Sequence, residues 1–522
     1  MLFNSYIFIL LFLPITLTVF YLLKKRGCDQ WLLGWLFIAS LFFYGWWKPA
    51  YLLLMLGSIG FNFFMGRRIS SCVNKSTKKT FTGFTVILNL LLLGYFKYTN
   101  FTFGLIGLIV DTSLPQVQIV LPLAISFFTF QQIAFIIDCY QGKTEEVDFL
   151  QYGLFVSFFP QLIAGPIVHH RDMLPQFKNS FQGKSSVENL SVGLTIFTLG
   201  LFKKVMIADT MANYASPVFR AVEQGNVLTF FEAWSGVLAY SMQIYFDFSG
   251  YSDMATGLGR MFGIRLPINF FSPYKSASMI DFWRRWHITL SQFLKDYLYI
   301  PLGGNQKGSK RRYINIMITM LLGGLWHGAN VTFILWGGLH GLYILINHAW
   351  RQLTSALGLP SFLKMVARPF AVLLTFLAVT VAWIFFRADN PTSAFQLLLS
   401  MSGHYGVSLW ETNFHQLNKL FGFGNLLMSW GVTFGEPTYF RGIKHLAIII
   451  STLIFAWSMP NTFELMRRYN PNTNLRSVKA YINKKQWLHW RPTFLWAVGL
   501  ATLFAWSLLS ISKASEFIYF QF

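Results

Sequence analysis

The chain has 522 residues, of which 54% are hydrophobic, 18% aromatic and only 12% charged, and its 42 Lys+Arg against 20 Asp+Glu give a formal net charge of +22. A soluble protein carries roughly 25% charged residues, so a string of independently folded soluble domains is excluded. The basic surplus would suggest nucleic acid in a soluble protein. In a chain with a mean hydropathy of +0.46, it suits cytoplasmic loops lying against anionic headgroups, and no nucleic-acid partner is expected.

The first apolar run, residues 3–23, is long enough to cross ~30 Å of hydrocarbon. No basic residue precedes it, no small-residue cleavage site follows, and Lys24, Lys25 and Arg26 come directly after. This pattern predicts an uncleaved span with its N-terminus outside. Further spans are predicted near 31–46, 50–66, 82–110, 119–138, 187–208, 228–248, 313–327, 331–349, 369–387, 444–459 and 493–511. Backbone groups in lipid must be satisfied internally, so these runs are helices. A β-barrel would show short alternating segments instead of continuous apolar runs.

Loop charge sets an expected topology. Arg67, Arg68, Lys75, Lys78 and Lys79 form one basic loop, Lys307, Lys310, Arg311 and Arg312 a second, and Arg467, Arg468, Lys484 and Lys485 a third, all read as cytoplasmic. The gap 111–118 carries only Asp111 and is read as external. Cys28, Cys72 and Cys139 share no CxxC spacing, so neither a disulfide framework nor a metal site is expected.

Two segments depart from simple spans. Residues 154–168 are apolar but contain Pro160, Gly165 and Pro166; proline breaks the helix ladder, which predicts a broken or re-entrant element and a candidate cavity wall. In residues 281–300, Phe282, Trp286, Leu290, Phe293 and Tyr297 recur at helical spacing, with Arg285, Thr289, Gln292 and Asp296 on another face. That predicts an amphipathic helix at the cytoplasmic surface or dipping into the bundle.

Ionisable residues inside spans are functional candidates because they cost about 2.5–3.5 kcal/mol to insert. They are Asp138, Asp247, Asp253, Glu232, His327, His340 and His348, with His287 just outside. His327 lies among Gly323, Gly324 and Gly328, flanked by Trp326 and Asn330. Glycines permit close approach of a substrate or another backbone, and a neutral imidazole is a natural general base. Asn330, three residues on, is placed to orient the ring or bind a carbonyl oxygen. A helix–helix contact through small residues, with His327 as an interhelical hydrogen bonder, explains the same residues.

His287 sits beside Trp286 and follows Arg284 and Arg285, which suits the phosphates of an anionic donor or, equally, lipid headgroups. His340 and His348 are two helical turns apart and are read as packing residues. Gly250 suggests a helix break between Asp247 and Asp253, which do not share a face. Gly257, Gly259 and Gly263 do not match GxGxxG, and GxSxG, HExxH and Walker A patterns are absent, as is HxxxxD spacing around His169 and His170.

WRRWHITLSQFLKDYLYIPLGGN, followed after about forty residues by GGLWHGANVTFILWGGLHG, resembles the signature of the membrane-bound O-acyltransferase family. Residues 121–142, 158–177, 245–259, 383–395 and 460–471 resemble its bacterial alginate-acetylating branch. The resemblance implies an all-α integral membrane fold of about eleven transmembrane helices plus re-entrant and amphipathic helices around a central funnel. A single domain over 1–522 is implied, with its core at roughly 119–350 and C-terminal helices at 369–511.

The same resemblance implies that His327 matches the family's essential histidine and His287 its second motif residue, with Trp326, Asn330, Arg284, Arg285 and Trp286 as substrate- or donor-binding candidates and no metal. It implies an enzyme of the inner membrane that takes acetyl groups from a cytoplasmic donor, acetyl-CoA or an acyl-phosphopantetheine carrier. A periplasmic or membrane-anchored partner acetyltransferase would pass them to an extracellular polysaccharide such as alginate. D-alanyl transfer to a cell-envelope polymer, and a transporter or flippase without chemistry, remain open alternatives.

Overall fold

A computed structural model describes the chain except residues 113, 145–147, 164, 180–185, 359, 361–365, 420–421, 441, 475–477, 479–480, 482–487, 512–517 and 519–522. Lys484 and Lys485 of the third basic loop lie outside the described residues.

The principal helices are α1 (Ile7–Lys25), α2 (Asp29–Gly45), α3 (Ala50–Ser71), α4 (Lys75–Val110), α5 (Ile125–Tyr140), α6 (Phe149–Ser157), α7 (His170–Asn179), α8 (Ser186–Glu223), α9 (Phe230–Met261), α10 (Met279–Trp283), α11 (Ile288–Leu294), α12 (Gly308–His327), α13 (Val331–Ala356), α14 (Arg368–Arg387), α15 (Pro391–Met401), α16 (Ile443–Ser458) and α17 (Phe494–Leu509). Two four-residue parallel strands, β1 (Val407–Trp410) and β2 (Val432–Gly435), pair Val407 with Val432.

Short polar side chains start several helices by accepting orphan backbone N–H groups. Asn74 caps α4 through Ser76 and Thr77, Asp148 caps α6 through Leu150, and Asn390 caps α15 through Ser393, with Pro391 in the first turn.

Every predicted apolar run falls on a helix, several trimmed by one to three residues at an end; the largest trim is at 119–124, which is not helical, and the helix begins at Ile125. Among the described residues, α1, α3, α4, α8, α13 and α14 have the length and apolarity to cross a membrane, and α2, α5, α16 and α17 are shorter apolar helices.

Contacts divide the chain into two units. The first comprises Met1–Phe202, Ser249–Asn269 and Thr462–Gln521. Its core is aromatic: Phe3 stacks on Tyr251 at 4.6 Å, and Phe8 lies 5.0 Å from Phe3 and 6.4 Å from Phe197. Asn62 of α3 and Asn89 of α4 exchange amide hydrogen bonds of 3.1 and 2.8 Å, which satisfies both buried side chains. The start of α8 crosses the end of α9 through paired glycines. A Cβ on Gly200 would sit 2.6 Å from the Gly250 carbonyl oxygen, and one on Gly193 equally close to that of Gly257. The expected helix break at Gly250 is therefore absent: α9 runs unbroken to Met261, and Gly250 serves close backbone packing instead.

In the same unit, residues 154–168 are broken as predicted. Helix α6 stops at Ser157, Phe158 is non-helical, and a single turn Phe159–Leu162 follows with Pro160 in its first turn. Freed backbone groups find side chains: Ser40 Oγ accepts from Phe159 N–H, and Gln161 Nε2 donates to Phe155 C=O.

The second unit comprises Lys203–Phe248 and Phe270–Asn461. Its central feature is the antiparallel hairpin α12–α13. Side chains on Gly324 and Gly337 would collide with the carbonyl oxygens of Phe333 and Met320, so the two helices meet backbone to backbone. Within this unit Lys204, 3% exposed, bonds to Asp209 at 2.8 Å and to Asp247 at 2.6 Å.

Residues 281–300 do not form the expected single amphipathic helix, and of the two placements expected for it their burial fits the one that dips into the bundle. Helices α10 and α11 are separated by a turn at His287, whose φ of 42° and ψ of 53° are left-handed, and a π-helical turn Lys295–Tyr299 ends the segment. Residues from both faces of the pattern are buried near the turn, Phe282, Trp286 and Leu290 together with Arg285 and Thr289, while Gln292 stays exposed. The turn replaces one helix with two short ones, so residues spaced for opposite faces of a single helix reach the interior together around it, up to Leu290.

Candidate active site

Helix α12 ends at His327, because Gly328 is extended and Asn330 starts α13 by accepting from Thr332 N–H at 3.1 Å. The glycine-packed hairpin thus fixes His327 at the turn between two helices. The site's other imidazole comes from the left-handed residue between α10 and α11. A non-glycine residue held there costs roughly 1–3 kcal/mol, a strain characteristic of functional sites, and histidine is among the types that tolerate it best.

The two rings lie 6.5 Å apart between centroids, at 57° to one another. His327 is 3% exposed and His287 fully buried. Their walls are aromatic. Trp326 is 4.8 Å from His327 and 6.2 Å from His287. Trp336 and Phe386 approach His327 edge-on at 5.0 and 5.2 Å. Phe248 meets His287 at 4.8 Å and 89°. Such walls supply a dry, low-dielectric surround in which a base and a polarised carbonyl interact strongly. Neither Phe248 nor Trp336 stands out from the sequence as a site residue, although Trp336 lies one helical turn before the candidate His340.

Trp286 joins this wall, 4.8 Å from Trp383, 4.9 Å from Phe270 and stacked on Phe282 at 5.6 Å. Arg285 is buried and its guanidinium pairs with Asp281 at 3.1 Å, whereas Arg284 is exposed. Asn330 does not sit one helical turn from His327 as expected, since the helix ends between them. Its oxygen caps α13 by accepting from Thr332 N–H, and its amide donates to the Asp389 carbonyl at 2.7 Å.

The other candidates scatter. Asp247 pairs with Lys204, Asp253 accepts from Thr462 at 2.6 Å, and Asp138 pairs with Arg171 at 2.9 Å and His170 at 3.5 Å. Glu232 accepts from Thr229 and Tyr439 backbone N–H groups and caps α9. His348 is half-buried beside Tyr313, and His340 is fully buried among aromatic rings. Among the described residues, no group of three His, Cys, Asp or Glu side chains is placed to hold a metal ion.

Apolar helices of spanning length and a buried pair of imidazoles define a multi-pass helical membrane protein with an enclosed two-histidine centre. The chain belongs to the membrane-bound O-acyltransferase family, whose sequence model matches residues 140–387, a stretch containing both His287 and His327. It is 39% identical to the peptidoglycan O-acetyltransferase of Helicobacter pylori, over all of this chain and 98% of that protein. It is 36% identical to the probable alginate O-acetylase AlgI of Pseudomonas aeruginosa over the full length of both. The teichoic acid D-alanyltransferase of Bacillus subtilis is 28% identical over 42% of this chain and 57% of its own. The chain is accordingly an O-acyltransferase, of the type represented by alginate and peptidoglycan O-acetylating proteins.

Proposed function

We propose that the protein acetylates a hydroxyl-bearing polysaccharide outside the inner membrane, drawing the acyl group from a cytoplasmic thioester, acetyl-CoA or an acyl-phosphopantetheine carrier. The observation that carries this reading is the enclosed imidazole pair at 6.5 Å. His327 takes the proton of an acceptor hydroxyl as its oxygen attacks the thioester carbonyl carbon. The C–S bond then breaks, and the departing sulfur receives the proton from His327. His287 lines the donor side and orients the thioester, with Trp326 and Trp286 excluding water. Positioned base catalysis of this kind contributes about 10²–10⁴-fold.

Full-length similarity to proteins named for alginate and peptidoglycan favours acetyl transfer to a polysaccharide over D-alanyl transfer, where the similarity spans less than half the chain. The acceptor hydroxyl belongs either to the polysaccharide itself or to a periplasmic or membrane-anchored partner acetyltransferase that hands the acetyl group on. The test is purified protein in liposomes with labelled acetyl-CoA enclosed and acceptor outside. Label appearing on the external acceptor supports the reading. Label confined to the donor side would contradict it, and movement of an intact acylated molecule without acyl exchange would mark a transporter.

A further inference from the structure

The site has a third buried imidazole that the mechanism above does not use. His340 is 0% exposed on α13. Its ring is boxed by Trp336 at 4.7 Å, Trp283 at 5.2 Å, Phe282 at 6.0 Å in a near-parallel stack, and Trp383 at 6.3 Å. Neither His340 Nδ1 nor Nε2 has a hydrogen-bond partner among the described residues, and the same holds for the indole Nε1 of Trp283 and of Trp336. Four nitrogens on three adjoining rings are thus buried and unsatisfied. Buried polar groups are ordinarily paired, and an orphan marks either a strained site or a place where a ligand or ordered water makes the bond. A packing role alone would be served as well by phenylalanine. Trp336 also stands 5.0 Å from His327, so the box adjoins the centre of chemistry.

We propose that His340, Trp283 and Trp336 form a hydrogen-bonding subsite for one small neutral group that accepts from an indole N–H and donates to the imidazole. Two sources have that chemistry: a secondary amide of the donor's thiol arm, or a resident water. An indole is a donor only, and a neutral imidazole offers one acceptor and one donor nitrogen, so the box matches a group of mixed polarity and rejects an anion, which would find no cation among these rings. The proposal rests on the thioester-donor reading above.

The test compares wild type with His340→Phe and His340→Gln, using S-acetyl-N-acetylcysteamine, which carries an amide, and ethyl thioacetate, which does not. Rates are read as thiol released, and melting is followed in detergent. His340→Phe is expected to melt no lower than wild type, since it removes two unsatisfied nitrogens, yet to lose about tenfold in kcat/KM, roughly one hydrogen bond's worth; His340→Gln restores most of the rate. A loss confined to KM for the amide-bearing thioester assigns the site to the donor arm. An equal fall in kcat with both thioesters assigns it to a water.

Wild-type kinetics in His340→Phe, failure of His340→Gln to restore the rate, or melting of His340→Phe well below both others would overturn the proposal. Trp283→Phe, which removes one N–H, is expected to shift the same parameter in the same direction, and unchanged kinetics there would also count against the subsite. If wild type released thiol from neither compound, the donor reading would fail instead, and the melting comparison would still decide whether His340 is a satisfied structural residue.

Discussion

His287 and His327 reach one another from opposite kinds of backbone: one from a left-handed turn between two short helices, the other from the last residue of a twenty-residue helix, with their rings 6.5 Å apart. Because the turn is strained and the ring fully buried, position 287 separates stability from activity. Glycine adopts the left-handed conformation freely, so His287→Gly is expected to be more stable than His287→Ala by about 1 kcal/mol. Both lose transfer equally. Melting temperature and acyl-transfer rate measured together check this; an alanine variant as stable as the glycine variant would show that the turn stores no strain.

Lys204 holds two carboxylates at 2.8 and 2.6 Å in the interior. Removing one partner of a buried ion pair leaves charge without compensation, at a cost of about 3–5 kcal/mol. Lys204→Met is therefore expected to be poorly folded, and Lys204→Met with Asp247→Leu to recover part of the loss. Thermal melts of the two in detergent test the pairing, and equal damage in both would contradict it.

Backbone contact at Gly200 and Gly250 leaves no room for a methyl group, with the Gly250 oxygen 2.6 Å from where a Cβ would stand. Gly200→Ala is expected to cost about 1–3 kcal/mol by overpacking. Gly499, with open space around its Cβ position, is the control at which alanine is tolerated.

His170 gives a pH dependence. Burial pushes its imidazole down to about 4, against the opposing pull of Asp138 at 3.5 Å. In the unfolded chain the ring titrates near ~6.5. Below that pH the unfolded chain binds a proton that the folded one refuses, so stability is full above pH ~6.5 and declines as pH falls toward about 4, by ~3 kcal/mol from this group. The melting temperature of wild type should drop more steeply between pH 7 and 4.5 than that of His170→Gln; parallel curves would contradict the assignment.

Continuous hydrophobicity made the helices legible, because lipid leaves no other economical way to satisfy a backbone. His327 stands out by its glycine and tryptophan neighbours and His287 by Trp286 and the two arginines before it, and the structure brings their rings within 6.5 Å. What escaped were features that depend on one φ angle or one crossing point. The left-handed His287 turns an amphipathic pattern into a buried elbow, and a periodicity count cannot detect that. Gly250 has the composition of a break but the environment of a helix crossing. Asn330 is spaced like a histidine's partner, yet the helix ends first and its side chain is taken by a cap. Lys204 lay unremarked inside a predicted apolar span, where a basic residue was itself the signal of its buried carboxylate partners.

The most direct test of the two-histidine centre is acyl transfer by His327→Ala, with folding verified by an unchanged melting profile and elution volume. Loss of the positioned base predicts a fall of about 10²–10⁴-fold in transfer from labelled acetyl-CoA. A folded His327→Ala protein that transferred label at the wild-type rate would contradict it.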